Sequence, residues 1–198
     1  MLPELKQLLE YCEETLDIER IRQRDSLHRS ALDWETVERL PLIVSFPYPK
    51  NERFQPYPNG QTYDDPEKML FNQFVSAFDL SPYLSLKLNH DLPITIRADF
   101  GCVLIASVFG AKIERQGDNP PWVRQASTSI DYEQITQNPL LDFERGLIPK
   151  VKERYQFYRD VLSQYPRLQS VTHVVLPDLQ GPFDNLELLR GSQIFLDL

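Results

Sequence analysis

"SVTHVVLPDLQGPFDNLELLRG", residues 170–191, contains a strand, a turn and a helix in one continuous stretch. The apolar run over 170–178 has the length and β-branched content of a strand. It stops at Asp178, bends through Gly181 and Pro182, and resumes as "DNLELLR" (184–190), a short helix with Gly191 placed to end it. Strand, tight turn and helix make up the unit from which parallel α/β sheets are built.

The same alternation extends towards the N-terminus. "LPITIRADFG" (92–101) reads as a strand, with Ile94 and Ile96 on one face and Thr95, Arg97 and Asp99 on the other. "CVLIASVFG" (102–110) is apolar throughout, and periodicity leaves helix and strand open. "PLIVSFPYP" (41–49) reads as a short buried strand closed by prolines. Three longer helices are expected. Residues 4–29 carry Leu5, Leu8, Leu9, Cys12 and Leu16 at helical spacing, with a charged, solvated face that includes Arg20, Arg22 and Arg24. Residues 64–79 have Asp65 at the cap and Pro66 in the first turn. Residues 144–164 have a stripe of Ile148, Val151, Tyr155, Tyr158 and Leu162. "GDNPPWVRQASTS" (117–129) reads as a loop. "KNERFQPYPNGQTY" (50–63) is a long loop rich in Pro and aromatics, a length that fits either a functional lid or plain surface packing. Helices alternating with strands across long connections predict an α/β layer or barrel with parallel strands.

Composition narrows the function classes. The chain has 198 residues, 29 acids against 21 bases and a net charge of −8. That balance argues against a nucleic-acid footprint and against a polybasic membrane surface. Cys12 and Cys102 are the only cysteines and lie far apart, so neither a disulfide framework nor a Cys-rich metal site is expected. The start of the chain lacks a signal-peptide pattern, and no run reaches the roughly 18 apolar residues of a membrane span. The expectation is a cytoplasmic single domain over 1–198 whose partner is a small molecule.

In parallel α/β folds, ligands sit beyond the carboxyl ends of the strands. Arg97 and Asp99 occupy one such end, where a paired charge is either a buried salt bridge or a site carboxylate with an orienting arginine. Asp178, Gln180 and Gly181 occupy another, beside a helix N-terminus whose free N–H groups suit an anion; the plainer alternative is a turn capped by Asp184. His28, His90 and His173 are scattered without metal-ligand spacing, and His173 reads as a satisfied core residue. No phosphate loop or nucleophile elbow is present.

"IRADFGCVLIASVFGAKIE" (96–114) and "LPDLQGPFDNLELLRG" (176–191) together resemble the uroporphyrinogen decarboxylase superfamily, which also holds the methylcobamide methyltransferases. Asp99, Gly110 and the following "AKIE" match a strand ending in Asp, then an apolar helix and a Gly turn. Gly181, Pro182, Phe183 and Gly191 match a Gly-Pro-aromatic turn opening a helix with a later Gly. The resemblance runs from about residue 40 to the end and implies a (β/α)8 TIM-type barrel. Such barrels take about 250 residues. The chain is therefore expected to supply the first three βα units (41–198) after an N-terminal helical extension (1–40). A C-terminal half or another copy in a homo-oligomer would complete it, and the isolated chain would be inactive with an open strand edge.

The function implied is cofactor-independent decarboxylation of a tetrapyrrole or related anionic substrate. Asp99 is then the catalytic carboxylate, and Arg97, Arg53, Asp178, Gln180 and Gly181 bind substrate. The decarboxylases carry a basic "RQAGRY"-like motif after the first strand, where this chain reads "KNERFQPY", with Lys50 and Arg53 as the available cations. Two alternatives stay open: corrinoid-dependent methyl transfer, with zinc ligands outside this chain, and a truncated non-catalytic chain that acts only in an assembly.

Overall fold

Helix-forming stretches outnumber strands, and the strands are short. The computed structural model describes residues 1–43, 53–77, 91–124 and 144–196. In chain order the elements are α1 (Pro3–Thr15), α2 (Ile18–Leu32), α3 (Asn59–Thr62), α4 (Pro66–Ala77), β1 (Ile94–Ile96), α5 (Leu104–Val108), β2 (Ile113–Glu114), β3 (Trp122–Val123), α6 (Ile148–Leu162), α7 (Pro166–Gln169), β4 (Thr172–Val174) and α8 (Pro182–Arg190). A 3-10 turn over Gly191–Leu196 follows. They fall into two compact units. The first takes Met1–Tyr57, Asp65–Arg97 and Phe157–Val175; the second takes Pro58–Asp64, Ala98–Gln156 and Leu176–Leu198.

In the first unit, α1 buries Leu5, Leu8, Leu9 and Cys12, the stripe its spacing predicts. The helix expected over 4–29 is in fact two. Leu16 is extended (ψ 133°), and the Asp17 carboxylate accepts the Arg20 N–H at 3.1 Å, starting α2. Asp at that position offers the backbone a cap in place of a continuing turn, which divides the run. Ile21 of α2 packs with Ile94 and Val171, flanked by Leu16, Ile18 and Ala77. On α4, the Asp65 carboxylate accepts the Glu67 and Lys68 N–H groups at 2.9 and 3.2 Å, the predicted cap, and Leu70 and Phe74 are fully buried. β1 and β4 pair in parallel, with Ile94 opposite Thr172 and Ile96 opposite Val174. Val175 N–H extends the ladder to the Ile96 carbonyl at 2.9 Å. Ile94 and Ile96 are buried and Thr95 is exposed, as alternation predicts. The strand expected over 41–49 lies mostly outside the described residues.

In the second unit, the ambiguous "CVLIASVFG" forms helix α5. Val103, Ala106, Ala111, Val123, Leu188 and Leu189 make its core. β2 and β3 form an antiparallel hairpin, Ile113 opposite Val123 and Glu114 opposite Trp122, so that β3 falls within the stretch over 117–129 read as a loop. α8 begins at Pro182, two residues earlier than expected, and Gly191 ends it at φ 68°. That left-handed geometry carries little strain only for glycine. Leu176, Phe183, Leu186 and Phe195 remain exposed. The described strands thus form one parallel pair and one hairpin within a helix-rich, mixed α/β chain.

Candidate functional site

β1 ends at Ile96, so Arg97 and Asp99 lie beyond the strand rather than on one of its faces. The correction matters because a strand would aim both side chains in one direction. Arg97 belongs to the first unit, where its N–H donates to Gln73 Oε1 at 3.0 Å and its carbonyl accepts the Tyr158 hydroxyl at 3.4 Å. Asp99 belongs to the second unit, and its Oδ1 accepts the Gly101 N–H at 3.2 Å, closing a side-chain turn. Gly101 has φ 65°, and a Cβ there would come within 3.6 Å of the Pro121 carbonyl, against the hairpin.

Asp99 has neighbours that sequence reasoning missed. Tyr63 follows directly on α3, and its ring stacks on Phe100 at 6.4 Å and 29°. The Arg115 guanidinium, just after β2, stands 5.9 Å from the same ring and pairs with Asp64 at 2.7 Å. Arg115, and then Lys150, hold the Asp64 carboxyl below the usual carboxylate range. Asp118 in the hairpin loop accepts the Gly60 N–H at 2.9 Å. Burial pushes the Tyr63 phenol up to about 12, and the Asp99 and Asp118 carboxylates push in the same direction against Arg115. The phenol therefore stays protonated across the physiological range. Arg154 on α6 is buried with a side chain 3% exposed, and donates to the Tyr63 carbonyl at 3.2 Å. Tyr63 closes the aromatic loop that the sequence singles out at 50–63. Arg154 gives no sequence signal, because a charge inside a helical stretch reads as solvated.

Asp178 is exposed, and the Gln180 and Gly181 carbonyls are held by the buried Asn185, whose Nδ2 donates to them at 2.8 and 2.9 Å. Gly181 is the cap residue of α8, which has no side-chain cap, so Asp184 sits in the first turn instead. These residues share the second unit with Asp99; Arg53 does not. The Arg53 guanidinium lies over Tyr11 at 4.3 Å and Phe54 at 5.0 Å, as cation–π packing. Lys50 lies outside the described residues, as does His90.

His173 is half-exposed rather than a core residue. Its Nε2 lies 2.8 Å from Asp25 Oδ2 on α2, and among the described residues Asp25 Oδ1 and His28 Nδ1 are buried with no hydrogen-bond partner. A polar groove of about 550 Å³ runs beside the start of α2, where Arg20, Arg24 and Arg39 face Asp17, Glu19 and Glu38. Balanced charges give that groove no field of one sign to attract a ligand. Among the described residues no group of three His, Cys, Asp or Glu side chains is arranged to hold a metal. Nor is any helix among them long and apolar enough to cross a membrane. Compared with family models, curated proteins and solved structures, the chain matches none.

Proposed function

We propose that this chain is the first part of a (β/α)8 barrel of the uroporphyrinogen decarboxylase type, and that Asp99 is the carboxylate serving its reaction centre. The parallel pairing of β1 with β4 carries the reading. Parallel neighbours require a crossover, and both strands run on into an acid-bearing turn and then a helix: Asp99 before α5, Asp178 before α8. The chemistry asked of Asp99 is electrostatic. Protonation of a pyrrole carbon leaves the ring cationic, and a fixed carboxylate lowers the energy of that cation. The bond to carbon dioxide then breaks, and its electron pair neutralises the ring. The turn to Gly101 fixes the Asp99 carboxylate before any ligand arrives. Asp178 and Gln180 supply substrate contacts in this reading.

The test is fluorescence anisotropy with uroporphyrin I. Saturable binding is expected, weakened about tenfold in Asp99→Asn at unchanged circular dichroism, the size of one lost charge-assisted contact. Equal affinity in both proteins, or no binding to either, overturns the reading.

A further inference from the structure

We infer that the groove beside the start of α2 is a binding site for a small zwitterion, a molecule carrying a carboxylate and an ammonium group, such as a free dipeptide. The groove holds about 550 Å³, within the range of small-molecule sites, and lies wholly in the first unit. Part of its lining is one face of α2, where Arg20, Gln23, Arg24 and Leu27 recur at three- and four-residue steps. Glu38 and Arg39, from the chain beyond α2, line it as well.

Most of the charges there are already engaged. Asp91 holds Arg39 through two hydrogen bonds, at 2.6 and 2.9 Å. The Asp17 carboxylate caps α2, and Glu19 accepts the Gln23 amide at 3.3 Å. Two groups differ. Arg24 is half-buried and donates to the Leu92 carbonyl at 2.8 Å, a neutral partner; its Nε is buried with no hydrogen-bond partner among the described residues. The carboxylates closest to it in charge, Asp91 and Asp25, are hydrogen-bonded to Arg39 and His173. Glu38 is exposed, and among the described residues nothing hydrogen-bonds its carboxylate. Arg24 and Glu38 therefore line one groove with opposite charges and form no ion pair with each other.

The full set of charges selects the ligand. With Arg39 and Asp91 cancelling, Arg20 and Arg24 stand against Asp17, Glu19 and Glu38. A lone anion meets three acids and a lone cation meets two arginines, so neither is strongly drawn. A zwitterion satisfies both signs: its carboxylate accepts from the Arg24 guanidinium, and its ammonium donates to Glu38. Leu27 offers the apolar contact for a side chain.

The inference shares no residue with the decarboxylase reading. Its test is calorimetric titration of the intact chain with glycyl-leucine, with N-acetyl-glycyl-leucine, which lacks the ammonium, and with glycyl-leucinamide, which lacks the carboxylate. The dipeptide should bind saturably and each blocked form at least about tenfold more weakly, the size of one charge-assisted hydrogen bond. Glu38→Gln keeps an acceptor oxygen but loses the charge. It should weaken the dipeptide about threefold, the scale of an exposed ion pair, without weakening the N-acetyl form. Arg24→Gln should weaken the dipeptide about tenfold and abolish its advantage over the amide. Glu38 is exposed, so its variant keeps the test sound if Arg24→Gln disturbs folding. Absence of saturable binding, equal binding of the dipeptide and its blocked forms, or dipeptide affinity indifferent to Glu38→Gln overturns the inference.

Discussion

Asp91 carries more structural responsibility than its place in the sequence announces. Its side chain is completely buried and accepts Arg39 at 2.6 and 2.9 Å and the Leu42 N–H at 2.8 Å. The Arg39 hydrogen bonds hold the Asp91 carboxyl down at about 2, against its burial. A folded value below the unfolded one means stability that is fully present above about pH 4 and is lost as pH falls towards 2. Because the Arg39 side chain is 45% exposed, solvent screening limits the contribution to about 1 kcal/mol. Urea unfolding of the native protein and Asp91→Asn should therefore differ at pH 6 and converge towards pH 2.5; a constant gap would contradict the assignment. Neither the buried Asp91 pair nor the packing around Tyr63 was legible in the sequence. Asp91 meets Arg39 and Leu42, 52 and 49 residues away, and Tyr63 meets Phe100, Arg115 and Arg154, 37 to 91 residues away, and no local pattern encodes such pairings. Asp99 was read from the sequence onto a strand face, whereas the strand ends at Ile96 and Asp99 closes a turn beyond it.

At the scale of elements, the periodic helices were legible and their interruptions were not. The apolar spacings of α1 and α4 reappear as buried faces, since burial of those side chains is what holds the helices in place. The break at Leu16 and Asp17 escaped because the apolar spacing continues across it, while one capping side chain redirects the backbone. β2 and β3 escaped because two-residue strands carry no period. On α6, the stripe is right at Val151, Tyr158 and Leu162, but Arg154 is buried where Tyr155 was expected. The cap on α4 gives a direct measurement. Asp65→Ala removes the acceptor of two N–H groups and should cost about 1 kcal/mol, whereas Asp65→Asn should recover most of it. Urea midpoints read this, with an unchanged slope showing that the native fold is retained. Equal stability of the alanine and native proteins would mean that the carboxylate does not hold the helix start.

For the whole molecule, the α/β class was legible from the alternation of elements, but the grouping into units was not. The chain moves between the two units after Tyr57, Asp64, Arg97, Gln156 and Val175. The core of each unit draws on the last part of the sequence: Val171 in the first, Leu188 and Leu189 in the second. A chain ending at Gln169 is therefore expected to lose cooperative unfolding, read as a broad, non-sigmoidal far-UV transition. A sharp transition at the native midpoint would show that these late residues are dispensable.

The parallel pairing of β1 with β4 has one more consequence, for synthesis on the ribosome. Among the described residues, the strand that pairs with Ile94 begins at Thr172, some 78 positions later in the chain. At roughly 5–20 residues per second, that partner strand follows β1 by several seconds of translation. During that interval Ile94 and Ile96, buried in the finished protein, are a nascent chain's exposed apolar segment and so a natural binding site for a chaperone.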